Sequence, residues 1–212
     1  EVKAVMGKQV PRSWCFPLLK YEIRNVFAGF GPDFGTTVFC NDGFAKDQAT
    51  IDALSFYSDV NSATLVDFLL SEIPYRDVRY SEDMLFGHDL IDAGYRKAYA
   101  PRASVIHSND LTLREYWRRI FDETVGLRQI GKSLVMINRV GQLKLTIRGI
   151  LADSIRILRD GQFTILRKCY WLVINPFFHI AKWESFYRST HVDLDDHDAI
   201  RSGSLEHSRK TD

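Results

Sequence analysis

The spacing of hydrophobic positions in the first half of the chain changes every few residues, as in alternating short strands and helices. Residues 1–6 predict a strand that no Met precedes, so we expect the chain to begin inside a larger domain. Gly7, Pro11 and Pro17 indicate a loop followed by a helix over 17–26. Residues 27–47 are rich in Gly and predict mostly loop, and residues 54–65 predict a strand leading into a loop.

The clearest helix of this half begins after Ser81, a suitable N-cap residue. Phe86, Leu90 and Ala93 then recur on one face, and Gly94 provides a stop. Two short strands over 97–99 and 104–107 follow, and Thr112 begins another helix. This alternation predicts a layered α/β domain over residues 1–126.

The second half has a different pattern. Apolar residues recur at helical spacing over 127–188, which predicts a separate helical, basic and aromatic region. Residues 138–188 contain nine Lys or Arg and three Asp or Glu, a balance of +6. Residues 189–212 are polar and acidic without an apolar period, so we expect a disordered tail.

Composition narrows the choice of function only slightly. The 212 residues carry a formal charge of +1, so nothing in the overall charge favours nucleic acid as a partner. Cys15, Cys40 and Cys169 form no CxxC pair, which favours a reducing compartment, and the apolar stretch 169–180 is too short to span a bilayer. The signatures of P-loop, serine hydrolase, HExxH and dinucleotide-binding proteins are absent from the sequence.

Three residues could carry chemistry. Glu82 and Asp83 fall in the first turn of the predicted helix, where backbone N–H groups favour an ionised carboxylate that can accept a proton. Acidic residues are also common at helix starts without any further role. His107 ends a predicted strand, and its imidazole could bind a divalent ion or be simply structural.

The order of several short segments resembles that of bacterial family 2 glycosyltransferases of the GT-A type, especially rhamnosyltransferases. These segments are Gly-Lys-Gln-Val-Pro-Arg at 7–12, Ser-Asp-Val-Asn-Ser-Ala at 58–63, Ile-Pro-Tyr at 73–75, Tyr-Ser-Glu-Asp at 80–83, Ala-Gly-Tyr at 93–95, Tyr-Ala-Pro at 99–101 and Val-Ile-His-Ser at 105–108. The resemblance implies the acceptor-side half of a Rossmann-like GT-A domain, followed by a helical appendage.

In that family the Asp of the Glu-Asp pair deprotonates the acceptor hydroxyl, and the His helps to hold Mg²⁺ or Mn²⁺. The resemblance therefore implies Asp83 as the base and His107 as a metal ligand. It suggests Glu82 as a residue that orients the base or the acceptor, and it suggests acceptor contacts by residues in 58–63, namely Asp59, Asn61 and Ser62. The family's nucleotide-binding half, with its Asp-x-Asp motif, has no counterpart in this sequence.

The resemblance implies a cytoplasmic inverting glycosyltransferase with a nucleotide-sugar donor and a cell-surface glycan or lipid-linked acceptor, and rhamnose is the candidate sugar. Two alternatives remain open: a non-catalytic module that binds a membrane or a partner, and a glycoside hydrolase that pairs Glu82 or Asp83 with Asp59. We expect residues 138–188 to rest on the inner face of a membrane through Trp171, Phe177, Phe178 and Trp183, or else to form a helical core or a homo-oligomer contact.

Overall fold

A computed structural model describes residues 1–43, 47–78, 80–132 and 134–211, with all side chains in these ranges except those at 48, 49, 210 and 211. The chain divides into two compact units. The first contains residues 1–12 and 22–108, and the second contains residues 13–21 and 109–212. The predicted class, an α/β domain and a helical part, is confirmed, and the boundary between the units follows residue 108 instead of the expected 126.

The first unit is built on a mixed sheet with the strand order β2-β4-β1-β3. Strands β1 and β4 are parallel, whereas β3 pairs antiparallel with β1 and β2 antiparallel with β4. The elements of this unit are β1 (Val2–Val10), most of α1 (Pro17–Ala28), β2 (Thr37–Phe39), α2 (Gln48–Ser55), the 3₁₀ helix η1 (Asp59–Asn61), β3 (Ser62–Thr64), α3 (Val66–Ser71), α4 (Glu82–Asp92) and β4 (Arg96–Ile106).

Aromatic side chains dominate the core of the first unit. Phe27, Phe30, Tyr57, Phe86 and Tyr99 are all buried in one cluster. Of the apolar face that the sequence predicts for α4, Phe86 and Leu90 are buried in this cluster, whereas Ala93 is exposed at the end of the helix. Burial of these side chains fixes the beginning of α4 against the sheet.

Three predictions for this unit need correction. The strand expected over 1–6 continues to Val10, so the loop expected from Gly7 begins only after β1. The expected strand over 54–65 is instead the end of α2, η1 and the short strand β3, because only 62–64 pair with β1. The two strands expected around Pro101 are one strand, β4. Its register against β1 jumps from Ala100 to Ser104, so Pro101 lies in a bulge where its missing N–H costs no ladder hydrogen bond.

The second unit is helical in the described residues. Its elements are the beginning of α1, α5 (Leu113–Gln129), α6 (Arg139–Arg159), α7 (Ile165–His191), α8 (His197–Gly203) and α9 (Leu205–Thr211). A capping box between Thr112 and Glu115 begins α5, as the polar Thr before an apolar run predicts. No helix among the described residues is long and apolar enough to cross a membrane.

A buried polar contact joins α6 to α7. His179 Nε2 lies 2.9 Å from Asp153 Oδ2, and Arg156 lies 3.0 Å from the other carboxylate oxygen. Gly149 permits this approach, because a Cβ at that position would lie 2.4 Å from His179 Nδ1. The two helices are therefore joined by paired polar groups as well as by apolar contacts.

The expected disordered tail is instead folded in the described residues up to 211. Ile200 of α8 is buried against Phe121 and Val125 of α5. Asp122 accepts hydrogen bonds from the backbone N–H groups of Leu205, at 2.8 Å, and Glu206, at 3.2 Å. A few apolar residues and one buried carboxylate hold a segment whose composition alone predicts disorder.

The expectation for the aromatic residues of α7 is also partly wrong. Phe178 is buried and stacks on Phe16, with ring centroids 4.3 Å apart. Trp171 and Trp183 are half-buried, and Phe177 is exposed. Only some of these rings are therefore available to a membrane or a partner.

Candidate functional site

The acidic pair predicted for the start of α4 lies there in the structure. Ser81, immediately before the helix, has φ 65° and ψ 31°, the left-handed conformation that non-glycine residues seldom adopt. Its side chain does not cap the helix. Glu82 is exposed and Asp83 is half-buried, so the two carboxylates have different environments.

Asp83 is held by backbone groups on both oxygens. Oδ1 accepts a hydrogen bond from Met84 N at 2.8 Å, and Oδ2 accepts one from Asp59 N at 3.4 Å. Burial raises the pKa of Asp83 to about 6, although these two N–H groups act to lower it; the nearby charges of Asp59 and Glu82 raise it further. A carboxylate with this pKa is ionised near neutral pH and is a stronger base than an ordinary aspartate.

Asp59 is fixed by a tyrosine from the Ile-Pro-Tyr segment. The Tyr75 hydroxyl donates to Asp59 Oδ1 at 2.5 Å, and burial raises the pKa of Tyr75, which keeps this hydroxyl protonated. The Tyr75 ring packs on Phe86 at a centroid distance of 4.9 Å, and Phe86 packs on Tyr57 at 5.1 Å. An aromatic wall therefore stands beside the two aspartates.

No functional role follows from the sequence for Tyr75, Phe86 or Tyr57. Tyr75 lies in the Ile-Pro-Tyr turn and Phe86 lies on the predicted apolar face of α4, so both have a sequence signal, whereas Tyr57 could be recognised only from packing.

Strand β1 positions the segment that contains Asp59. Gln9 Nε2 donates to Ser58 Oγ at 2.9 Å. Asn61 Nδ2 donates to Lys8 O at 3.3 Å and to Ala103 O at 2.7 Å. The side-chain N–H groups of Asn61 thus tie η1 to β1 and to the bulge of β4.

This tie needs a glycine on β1. A Cβ on Gly7 would lie 2.0 Å from Ala103 O and 2.2 Å from Asn61 Nδ2, so no other residue fits without a shift. Ser62, the third predicted acceptor contact, is exposed at the start of β3, opposite Met6 of β1.

His107 follows β4 at the same end of the sheet as the end of β1. Its backbone N–H donates to Val10 O at 2.9 Å, and the residue is half-buried. Beside it, Arg12 Nη1 donates to Ser108 O at 2.8 Å. These hydrogen bonds connect the family-like segments to one another. The segment at 7–12 is bonded to those at 58–63 and 105–108. The segment at 58–63 is also bonded to those at 73–75 and 80–83.

No group of three His, Cys, Asp or Glu that could hold a metal occurs in the part of the chain that the structure describes. His107 could therefore supply one ligand at most, and further donors would have to come from elsewhere. These residues do not by themselves fit a metal site.

A cleft of about 530 Å³ opens beside the end of β1. Lys8, Gln9, Arg24 and Asp33 contribute its polar lining, and Lys8 Nζ lies 2.6 Å from Asp33 Oδ1. The volume is in the range of small-molecule sites. Gln9 connects this cleft to Ser58, the residue before Asp59.

Fold and site together define an α/β protein with a half-buried carboxylate of raised pKa at the start of a helix, beside an aromatic wall. No family model and no solved structure matches the chain. Over 130 residues the chain is 28% identical to the O-antigen chain rhamnosyltransferase RfbN of Salmonella typhimurium, in an alignment covering 58% of this chain and 37% of that protein. The chain therefore spans little more than a third of a sugar-transferring relative.

Proposed function

We propose that this chain forms the acceptor-side half of an inverting family 2 glycosyltransferase of the GT-A type, with Asp83 as the catalytic base. The observation that carries the proposal is the half-buried Asp83 carboxylate, whose pKa is raised to about 6. This carboxylate lies where hydrogen bonds link four of the family-like segments, those at 7–12, 58–63, 73–75 and 80–83. The similarity to a rhamnosyltransferase supports sugar transfer, and it makes rhamnose the first sugar to test.

In the proposed reaction Asp83 accepts the proton of an acceptor hydroxyl. The hydroxyl oxygen forms a bond to the anomeric carbon of the donor sugar on the face opposite the leaving group. The bond from that carbon to the diphosphate oxygen breaks, and the diphosphate leaves with the electron pair. One displacement of this kind inverts the configuration of the sugar, and the base contributes roughly 10²- to 10⁴-fold to its rate.

The neighbouring residues have positioning roles in this proposal. Tyr75 holds Asp59 through the 2.5 Å hydrogen bond, which leaves Asp59 Oδ2 to accept from an acceptor hydroxyl. Asn61 keeps η1 in place through its side-chain N–H groups, and its carbonyl oxygen could contact the acceptor. Exposed Glu82 and Ser62 are proposed to contact more distant acceptor hydroxyls.

The remaining partners are proposals for the whole protein. The donor would be a nucleotide-sugar bound mainly by residues outside this chain, and the acceptor would be a cell-surface glycan or a lipid-linked sugar. A divalent ion, Mg²⁺ or Mn²⁺, would take His107 as one ligand among others. We propose the cytoplasm as the compartment, because Cys15, Cys40 and Cys169 form no disulfide.

The test is sugar transfer by the full-length protein that contains this chain, with nucleotide-sugars as donors. Asp83→Asn is expected to lower turnover roughly 10²- to 10⁴-fold while leaving donor binding intact. Asp92→Asn, at the other end of α4, is the matched control and is expected to retain activity. Near-normal turnover by Asp83→Asn would exclude Asp83 as the base.

The same assay separates the hydrolase alternative. Release of free sugar from a glycoside without any nucleotide-sugar, lost in Asp83→Asn and in Asp59→Asn, would indicate a carboxylate-pair hydrolase. Transfer that requires a nucleotide-sugar and gives the inverted product would support the transferase.

A further inference from the structure

Helix α6 exposes an apolar stripe along its whole length. The residues recur at intervals of three or four, the spacing of one helix face. Each is about half exposed or more, between 49% for Ile147 and 61% for Leu151. The stripe consists of Val140, Leu143, Ile147, Leu151, Ile155 and Leu158.

Helix α7 exposes a second apolar stripe over its first two thirds. Leu166 is 84% exposed and Ile165 is 80% exposed, values unusual for large aliphatic side chains. The stripe consists of Ile165, Leu166, Tyr170, Val173, Phe177 and Ile180. Isolated exposed apolar residues are normal on protein surfaces, but apolar stripes on two helices that pack together form a larger apolar surface that needs an explanation.

The surface charges around these stripes are basic except for Glu184 of α7, which pairs with Arg139 of α6 at 2.6 Å. Residues 139–183 contain eight Lys or Arg and two Asp, a balance of +6. Both acidic side chains are buried: Asp153 is 2% exposed beside His179, and Asp160 is 9% exposed beside Lys20. On α6, exposed Lys144 and Arg148 alternate with the apolar stripe, so no negative side chain of residues 139–183 offsets them at the surface.

We propose that the exposed faces of α6 and α7 form a docking surface for an anionic lipid bilayer, on which the protein binds peripherally. Apolar side chains flanked by basic ones are the composition of an interfacial helix, which buries its apolar face among the acyl chains while Lys and Arg contact anionic headgroups. This inference rests on the second unit alone and does not depend on the proposed function.

Charge decides between a bilayer and a second copy of the chain as the occupant. Two copies meeting through these stripes would each bring a balance of +6 from residues 139–183, with no exposed carboxylate in that segment to pair with. Like charges that face each other across an interface oppose association. An anionic bilayer offers acyl chains to the apolar residues and anionic headgroups to the basic residues.

The experiment is flotation of the chain with vesicles of phosphatidylcholine, alone or mixed with phosphatidylglycerol. Binding is expected only to the mixed vesicles and is expected to weaken as salt rises. Lys144→Gln with Arg148→Gln is expected to lower the partition coefficient about 25-fold, at about fivefold for each basic residue. Arg96→Gln with Arg102→Gln, exposed on β4, is the matched control and is expected to bind like the wild type.

The apolar part of the surface is tested by Leu151→Gln with Phe177→Gln, which is expected to reduce binding. Its control is Val38→Gln with Leu70→Gln, which changes exposed residues of the first unit. Circular dichroism confirms that each variant is folded. The proposal is overturned if the variants in α6 and α7 and their control variants lose vesicle binding equally, or if the wild-type chain does not bind the mixed vesicles. It is also overturned if the chain dimerises and the Leu151 and Phe177 changes abolish the dimer.

Discussion

The raised pKa of Asp83 predicts an effect on stability that can be measured on this chain without any substrate. Its carboxyl has a pKa of about 6 in the folded state and an ordinary value of 3.8, so the folded state binds the proton more tightly. The stabilisation from the protonated form is complete below about pH 3.8 and is lost as pH rises through about 6. Above that pH, ionised Asp83 destabilises the fold.

The magnitude follows from the two pKa values. A difference between 3.8 and about 6, at about 1.36 kcal/mol per pH unit, corresponds to about 3 kcal/mol above pH 6. Because Asp83 is only half-buried, solvent screening reduces this value, and we expect on the order of 1–3 kcal/mol. An Asn at this position resembles the protonated acid and can still accept a hydrogen bond from Asp59 N or Met84 N.

Asp83→Asn is therefore expected to raise the free energy of unfolding by on the order of 1–3 kcal/mol at about pH 8, and by much less at about pH 4. The measurement is urea unfolding of wild type and variant at both pH values. Glu82→Gln, at the exposed neighbouring position, is expected to change the unfolding free energy by no more than about 0.5 kcal/mol. An equal effect of Asp83→Asn at both pH values, or a loss of stability at about pH 8, would refute the reasoning.

Three further substitutions test the packing by the same unfolding measurement. Gly149→Ala is expected to cost about 1–3 kcal/mol because its Cβ meets the His179 ring, whereas Gly161→Ala, with nothing within 4 Å, is expected to be tolerated. Ser81→Val is expected to cost on the order of 2 kcal/mol in the left-handed conformation, and Ser81→Gly to cost nothing. Ile200→Ala, in the segment expected to be disordered, is expected to cost about 2–5 kcal/mol.

Each of these expectations has a contrary outcome. Equal effects of the two glycine substitutions would mean that α6 and α7 are not in close contact at position 149. Loss of stability in Ser81→Gly would show that the side chain, and not the backbone conformation, matters there. An unchanged unfolding free energy for Ile200→Ala would show that α8 does not pack on α5.

The helices that the sequence predicts well have a local cause. The capping box of Thr112 and Glu115 and the left-handed Gly94 after α4 act within a few residues, so they are visible in the sequence. Strand β3 and the folded tail depend on distant partners. Ser62 is in a strand because Met6 lies opposite, and Ile200 is ordered because α5 offers it an apolar surface. Such contacts leave no periodic pattern in the sequence.

The site shows the same division. The resemblance named Asp83, Asp59 and Asn61, and the structure brings these three residues into one region of the first unit. It could not indicate that Tyr75 holds Asp59, or that burial alters the acidity of Asp83, because both depend on the packing of side chains from separate segments.

Two features at the start of α4 oppose stability, and the proposed function gives a reason for both. Ser81 is held in a backbone conformation that costs about 1–3 kcal/mol, and Asp83 is ionised near neutral pH in a half-buried position. Selection for stability alone would place Gly at position 81 and Asn at position 83. The left-handed residue stands immediately before α4, whose first turn holds the Asp83 carboxylate where Asp59 N donates to it. Partial burial keeps that carboxylate more basic than one in water. In the proposed function, a base that takes a proton from a hydroxyl must be ionised and yet poorly solvated. An ionised, poorly solvated Asp83 carboxylate also lowers the stability of the fold, and Asp83→Asn should remove that loss of stability together with the base.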